Sequence, residues 1–369
     1  MSIAHKRSKR QEPKDVFSRN DSLKNQNIKA ASYMKKLKDA NIISDTTYER
    51  ILNCCGFMRF LRGREVDAST GEVLKEDKAK VVNASFCKTR FCPFCSKGKA
   101  EKDAVYLNAL TRYLEDKGYA FIFLTLTIPN VKGDKLKDAI DDMNKRFFSY
   151  IHYKQIATVV KGYVRKLEVT YNKKADTYHP HFHCLLAVRK SYFSSRDYIK
   201  HEEWLSLWQK AMKDPSISQV NVKRAGKKGG MEKAILELSK YMAKDSDYLD
   251  SWEVFNNFYF ALKGKRLIVY SGVFKDAATA YESGALDGYK HQSYMEVHQY
   301  VCSEWNEVTR RYDNFIIDIH DPRIDINSLN ESLKIQGYQA FRLDDGTVRC
   351  YYVGRTTYGD DEHDENDDS

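Results

Sequence analysis

The chain has little that would make it fibrous, secreted or membrane-spanning. Its 369 residues include only 6 prolines and 18 glycines, too few for a collagen-like or low-complexity chain. No internal repeat is visible, which argues against a solenoid or propeller. The longest apolar run, 119–128, is about half the length needed to cross a bilayer. Residues 1–29 are polar and basic and lack the apolar stretch of a signal peptide. These absences predict a cytosolic protein with no membrane partner. Its eight cysteines are then expected as thiols or metal ligands rather than disulfides.

Basic charge is missing from one end only. Residues 276–369 hold 8 Lys and Arg against 20 Asp and Glu, whereas residues 1–275 hold 53 against 31. A basic body with an acidic tail points to a polyanionic partner for the body. Hydrophobic content of 42% supports real cores, and the length allows two or more domains.

Histidine is scarce too, with ten in all, yet three occupy alternate positions of the run Tyr178-His179-Pro180-His181-Phe182-His183-Cys184-Leu185. Residues two apart on a strand share a face. His179, His181 and His183 would therefore project side by side, and each buried imidazole needs partners for its ring nitrogens. Metal binding satisfies that need economically. The preceding run, 164–171, reads as a strand, and 172–177 reads as a polar turn. Symmetric closure about that turn pairs residues whose numbers sum to 349. Glu168 then faces His181 and lies diagonal to His179 and His183, with directly opposed Cβ atoms roughly 4.5–5.5 Å apart. A carboxylate and two imidazoles with open positions suit Mg²⁺ or Mn²⁺ acting on a phosphate. A slip of one residue would send Glu168 to the other face.

Three further cysteines follow the spacing Cys87-x4-Cys92-x2-Cys95. Such a knuckle is half of a tetrahedral thiolate site for structural Zn²⁺. Of the pair Cys54-Cys55, the expected fourth ligand is Cys55, because the following Gly56 lets the backbone turn near the metal. The alternatives are a redox pair or ordinary reduced thiols.

Organisation along the chain follows from periodicity. Residues 1–28 read as a disordered basic arm and 28–62 as helical, with Asp45 as an N-cap. A polar stretch at 63–86 ends in a short strand. A helix at 99–117 turns Val105, Leu107, Leu110 and Leu114 inward, with Gly118 closing it. The strand at 119–128 precedes a helix striped by Leu136, Ile140, Met143, Phe147 and Ile151. After the hairpin comes a helix at 195–213, whose Trp204 and Trp208 read as core, and a short strand at 218–223. This order predicts an α+β fold with a ferredoxin-like antiparallel sheet. The last ninety residues read as a smaller α+β unit, with strands at 315–319, 339–343 and 347–353 and an acidic tail at 360–369.

The helix read over 232–244 carries a chemical seam. Glu237, Tyr241, Lys244 and Tyr248 are spaced i, i+4, i+7 and i+11, so Glu237 and Tyr241 would lie about 5–6 Å apart at Cβ. A tyrosine oxygen can attack a phosphodiester and hold the 5′ phosphate. A neighbouring carboxylate can later activate water to release it. With a pKa near 10, a phenol is only about 0.1% ionised at pH 7, so metal polarisation of the phosphate or a cation such as Lys240 or Lys244 must assist.

Taken together, these segments resemble the rolling-circle replication initiators (Rep) of small Gram-positive plasmids, within the HUH endonuclease superfamily. The resemblance rests on Phe123-Leu124-Thr125-Leu126-Thr127, the His179–His183 run, and Glu237-Leu238-Ser239-Lys240-Tyr241-Met242-Ala243-Lys244. It extends to the Cys87–Cys95 segment with Cys55-Gly56 upstream, and to 261–268 and 271–275. The order of these blocks over roughly residues 30–275 makes it specific. It implies an HUH endonuclease palm at 101–275, preceded by a helical and Cys-cluster segment at 29–100 and followed by an accessory α+β unit at 276–359. It implies His181, His183 and Glu168 as metal ligands, with His179 supporting. Tyr241 would nick the double-strand origin, stay on the 5′ end and free a 3′ hydroxyl for priming. Glu237 would serve as base for water at termination, with Tyr248 a weaker candidate for a second nucleophile. DNA, as double-strand origin and single-stranded nick site, and a host helicase are the implied partners, and a homodimer is compatible. A mobilisation relaxase or single-tyrosine transposase would share this chemistry. A zinc-stabilised nucleic-acid-binding protein with an inert histidine strand is the competing class.

Overall fold

A computed structural model of the chain describes residues 16–226, 230–239, 247–289, 293–319, 321, 325–334 and 337–353. These residues form two units, one drawn from 1–87, 92–94 and 292–359, the other from 88–91 and 95–291. Among the described residues, no helix is long and apolar enough to cross a membrane.

The chain opens with α1 (Val16–Asp39) and α2 (Asp45–Leu52). Helix α1 covers residues 16–28, which were expected to be disordered. Its buried stripe runs Asn20, Lys24, Asn27, Ala31 and Met34, a helical spacing whose first three members are polar, so hydrophobicity alone does not reveal it. Ser44, not Asp45, caps α2, its hydroxyl accepting from the Thr47 amide at 3.1 Å. The helical reading to 62 ends early, at Leu52. Cys55 takes a left-handed φ of 51°, and the chain enters β1 (Phe57–Asp67), which forms a long antiparallel hairpin with β2 (Val73–Ala84).

The second unit contains α3 (Pro93–Asp116), β3 (Tyr119–Thr127), α4 (Gly133–Ile151), α5 (Lys154–Val159), β4 (Gly162–Asn172) and β5 (Thr177–Arg189). It continues through α6 (His201–Met212), β6 (Val220–Ala225), α7 (Gly230–Ser239), α8 (Trp252–Leu262), β7 (Ile268–Gly272) and α9 (Val273–Glu282). Its sheet is antiparallel in the order β6-β3-β5-β4-β7. The first four positions are the ferredoxin-like order anticipated from the element sequence, and β7 extends the edge.

Two cores follow from strand alternation. One face of the sheet, through Phe121, Val164, Leu185 and Ala187, packs on Leu107, Leu110 and Leu114 of α3, Ala234, Ile235 and Leu238 of α7, and Phe274 of α9. Val105, expected inward, is 57% exposed; it lies off the stripe that Leu107, Leu110 and Leu114 share. The other face carries Phe182 against Phe147 of α4, and α4 packs on α6 and α8. Trp204 and Trp208 are fully buried, as expected of core residues, and the Trp208 indole donates to the Thr127 carbonyl at 2.8 Å.

The C-terminal elements are β8 (Ser293–Asn306), β9 (Arg311–Asp318), α10 (Ile326–Lys334), β10 (Tyr338–Arg342) and β11 (Val348–Tyr352). The expected hairpin is present, with Gly346 at φ 83° in its turn. These strands are not a sheet of their own. Strand β8 pairs along β1, giving the order β10-β11-β8-β1-β2 with β9 on β8. The N-terminal and C-terminal segments, treated apart from the sequence, therefore share one core through Leu61, Val82, Val297, Leu333 and Val348. Pairing between residues more than two hundred apart leaves no local signal. Gly63 marks the join, since a Cβ there would meet the Glu296 carbonyl oxygen at 1.9 Å. Gly63→Ala is expected to destabilise this unit by about 1–3 kcal/mol, the range for overpacking a tight contact. A thermal unfolding midpoint equal to wild type would refute the β1–β8 pairing.

Candidate active site

The register of β4 on β5 is the one given by symmetric closure. Glu168 pairs with His181, Thr170 with His179 and Lys166 with His183. The face that carries the apolar core at Val164 and Leu185 changes, two residues further along each strand, into Lys166, Glu168, His183 and His181. All four are buried, between 6% and 8% exposed.

His183 Nε2 lies 3.0 Å from Glu168 Oε2 and His181 Nε2 lies 3.6 Å from it. Ligands about 2.1 Å from one octahedral or tetrahedral ion stand roughly 3.0–3.5 Å apart, so the three donors fit a shared ion. The outer nitrogens are engaged. His181 Nδ1 lies 3.1 Å from the His179 carbonyl, and His183 Nδ1 lies 3.3 Å from Thr125 Oγ1. In the metal-free protein the Nε2 protons face Glu168; a bound ion would take their place at each Nε2 lone pair, with Nδ1 donating outward. Phe123 stacks on the His183 ring at 5.6 Å between centroids. Burial raises the Glu168 pKa, but hydrogen bonds and charge from His181 and His183 outweigh it and hold the carboxyl at about 2. His179 stacks on His181 at the half-buried rim.

Helix α7 lies over this same face, fixed by Ala234, Ile235 and Leu238. Glu237, on its polar side, brings Oε2 to 3.9 Å from His183 Nε2 and stays partly open to solvent. Tyr241, Lys240 and Lys244 lie outside the described residues. Tyr248 is buried; its hydroxyl donates to the Phe91 carbonyl at 3.2 Å and its ring packs on Phe91 and Phe255. That is a packing role.

Sequence reasoning missed Lys166 and Thr125 as members of the site. Both carried a signal: Lys166 stands two before Glu168 on its strand, and Thr125 lies within the block Phe123–Thr127. Burial lowers the Lys166 pKa to about 8, against the pull of Asp103 and Glu168.

A second candidate centre is made of cysteine. The Sγ atoms of Cys54, Cys87, Cys92 and Cys95 all lie within 4.8 Å of one another. Thiolates about 2.3 Å from a tetrahedral zinc would stand roughly 3.7–3.8 Å apart, so the set fits. The expected Cys55 is replaced by its neighbour. Cys55 itself makes the left-handed turn, its carbonyl accepts from the Tyr312 hydroxyl at 2.5 Å, and Cys54 supplies the sulfur. Backbone amides of Cys87 and Lys88 point at Cys54 and Cys95 sulfurs at 3.4 and 3.2 Å. Helix α1 contributes as well. The Asn27 amide donates to Cys92 Sγ at 3.4 Å, and the Lys24 ammonium donates to the Cys54 carbonyl at 2.5 Å. Burial lowers the Lys24 pKa, and the surrounding thiols pull it back up.

Residues 78–313 match the replication-protein family Rep_1. A protein named rep from Staphylococcus aureus is 42% identical over 209 residues, covering 56% of this chain and 86% of the relative. Another from Bacillus amyloliquefaciens is 38% identical over 266 residues, covering 65% and 74%. A third from Streptococcus pneumoniae is 30% identical over 239 residues, covering 63% and 71%. No solved structure matches the chain. The family match takes in the cysteine knuckle, the histidine strand and helix α7 together, and the chain belongs to the Rep_1 family of replication proteins, the plasmid initiators its ordered motifs resemble.

Proposed function

We propose that this Rep protein is an HUH-type nickase that opens a plasmid double-strand origin and starts rolling-circle replication in the bacterial cytoplasm. The observation that carries the reading is the Glu168, His181 and His183 donor set with Glu237 beside His183 on an overlying helix. A bound Mg²⁺ or Mn²⁺ would supply electrophilic polarisation of the scissile phosphate. Glu168, His181 and His183 would hold it. Tyr241 follows Glu237 by four residues, and its phenolic oxygen would attack phosphorus as the bond to the 3′ oxygen breaks. Lys240 and Lys244 supply positive charge beside it in sequence. The freed 3′ hydroxyl primes synthesis, and a host helicase would extend the opened duplex.

Glu237 would act at termination, taking a proton from water as that water attacks the phosphotyrosyl link. Glu237→Gln is expected to nick at wild-type rate while adduct accumulates over time on a denaturing gel. Release at wild-type rate would remove this role.

For the cysteine cluster we propose structural Zn²⁺, with Lys24 offsetting the net negative charge of four thiolates. Lys24→Met is expected to weaken zinc retention against a chelator about 10–100-fold, the usual range for an outer partner of a metal site. Zinc content equal to wild type under that competition would contradict it.

A further inference from the structure

We propose that Arg165 is an anion site on the sheet face opposite the nicking centre, and that its occupant is a backbone phosphate of duplex DNA. The occupant rests on the DNA-binding part of the reading above and not on its nicking chemistry. Strand parity sets the face. Arg165 of β4 alternates with Lys166 and Glu168, so its side chain leaves the other side of the sheet. There it is 8% exposed. Its guanidinium carbon lies 4.3 Å from the centre of the Phe182 ring and 4.8 Å from that of Phe147. Burial lowers its pKa, yet a guanidinium stays charged at any working pH.

No anion answers that charge among the described residues. Arg165 makes no hydrogen bond or ion pair with them, and its Nε is enclosed without a partner. The two Nη atoms are not enclosed in the same way, so the charged tip keeps the residue's contact with solvent. Its register partners are Cys184 of β5 and Val269 of β7. Burial pushes the Cys184 thiol up to about 12, so it stays neutral. The carboxylates of α4 that precede Phe147 are committed elsewhere. Asp142 accepts from Arg146 at 3.0 Å, and Asp141 accepts from Lys137 at 3.0 Å and from Lys265. Two aromatic rings offset only part of what a cation loses on leaving water. The unanswered N–H fork has the geometry that takes a phosphate or a carboxylate through two bonds. Membership of a replication-protein family favours the phosphate of DNA. Strand β7 is the last of its sheet, so the site lies one strand from an edge, within reach of a duplex lying along it.

The test uses the full chain. Thermal unfolding is followed in chloride alone and with inorganic phosphate at the same ionic strength. In chloride, Arg165→Met should be as stable as the wild type or more so, because an unbranched apolar chain replaces an unpaired buried charge. Phosphate should raise the wild-type midpoint more than that of Arg165→Met. Binding of a fluorescent duplex is then titrated with salt. The slope of log affinity against log salt should be about 0.9 shallower for Arg165→Met, the loss of one phosphate contact, and unchanged for Arg165→Lys. An Arg165→Met chain that is less stable in chloride, or does not fold, would show the guanidinium already satisfied within the protein and overturns the proposal. Equal phosphate effects on the two chains overturn the anion site. Equal salt slopes, with the phosphate effect confined to the wild type, overturn DNA as the occupant and point to an acidic protein partner. A wild type that binds no duplex at low salt defeats the DNA-binding reading itself and the occupant with it.

Discussion

Tyr241→Phe is expected to abolish covalent capture of single-stranded origin DNA, with nicking down on the order of 10⁴-fold or more. The substitution removes one oxygen, the atom proposed to form the new bond to phosphorus, and keeps the ring. DNA affinity should therefore hold while chemistry stops. A phenol is a weak nucleophile, about 0.1% ionised at pH 7, so the reaction needs the phosphate made more electrophilic. The donor set beneath α7 answers that need, with Glu237 Oε2 at 3.9 Å from His183 Nε2. No rescue is expected from Tyr248, which is buried with its hydroxyl committed to the Phe91 carbonyl. Adduct formation by Tyr241→Phe would identify a different nucleophile.

Glu168→Ala should weaken Mn²⁺ binding on the order of 100-fold or more, read by calorimetry, with nicking lost in step. Glu168 is the one carboxylate among the three donors, and both imidazoles aim Nε2 at it. Its protonation state has a second consequence. The folded carboxyl titrates at about 2, below its ordinary 4.5. A depressed acid stabilises the fold fully above its unfolded pKa, and that contribution is lost as pH falls through the folded value. In metal-free protein this contribution should fade between about pH 4.5 and 2, and Glu168→Ala should flatten the acid-unfolding curve over that window. An unchanged Mn²⁺ affinity would exclude Glu168 as a ligand.

The hairpin was legible because its signals are local. A polar turn, two apolar runs and a period of two were enough to place Glu168 opposite His181, and the structure has that register. The ferredoxin-like strand order was legible for a similar reason, since short connections leave few topologies. Polar residues in buried places were not legible. Lys24 and Asn27 sit in α1 because they serve the cysteine cluster, and their polarity made the helix read as a disordered arm. Lys166 passed unnoticed among 61 Lys and Arg, although its strand parity with Glu168 pointed to the site. Choosing Cys55 over Cys54 gave weight to the glycine that follows, whereas Cys55 adopts the left-handed turn itself. The β1–β8 pairing had no local trace at all.

Peptide mapping of the wild-type adduct tests the central claim most directly. The full chain is reacted with a captured single strand and Mn²⁺, then digested with nuclease and protease and sequenced by mass spectrometry. A nucleotide joined through its 5′ phosphate to Tyr241 is the predicted result. A nucleotide on any other residue, a 3′ linkage, or cleavage with no covalent link would contradict it.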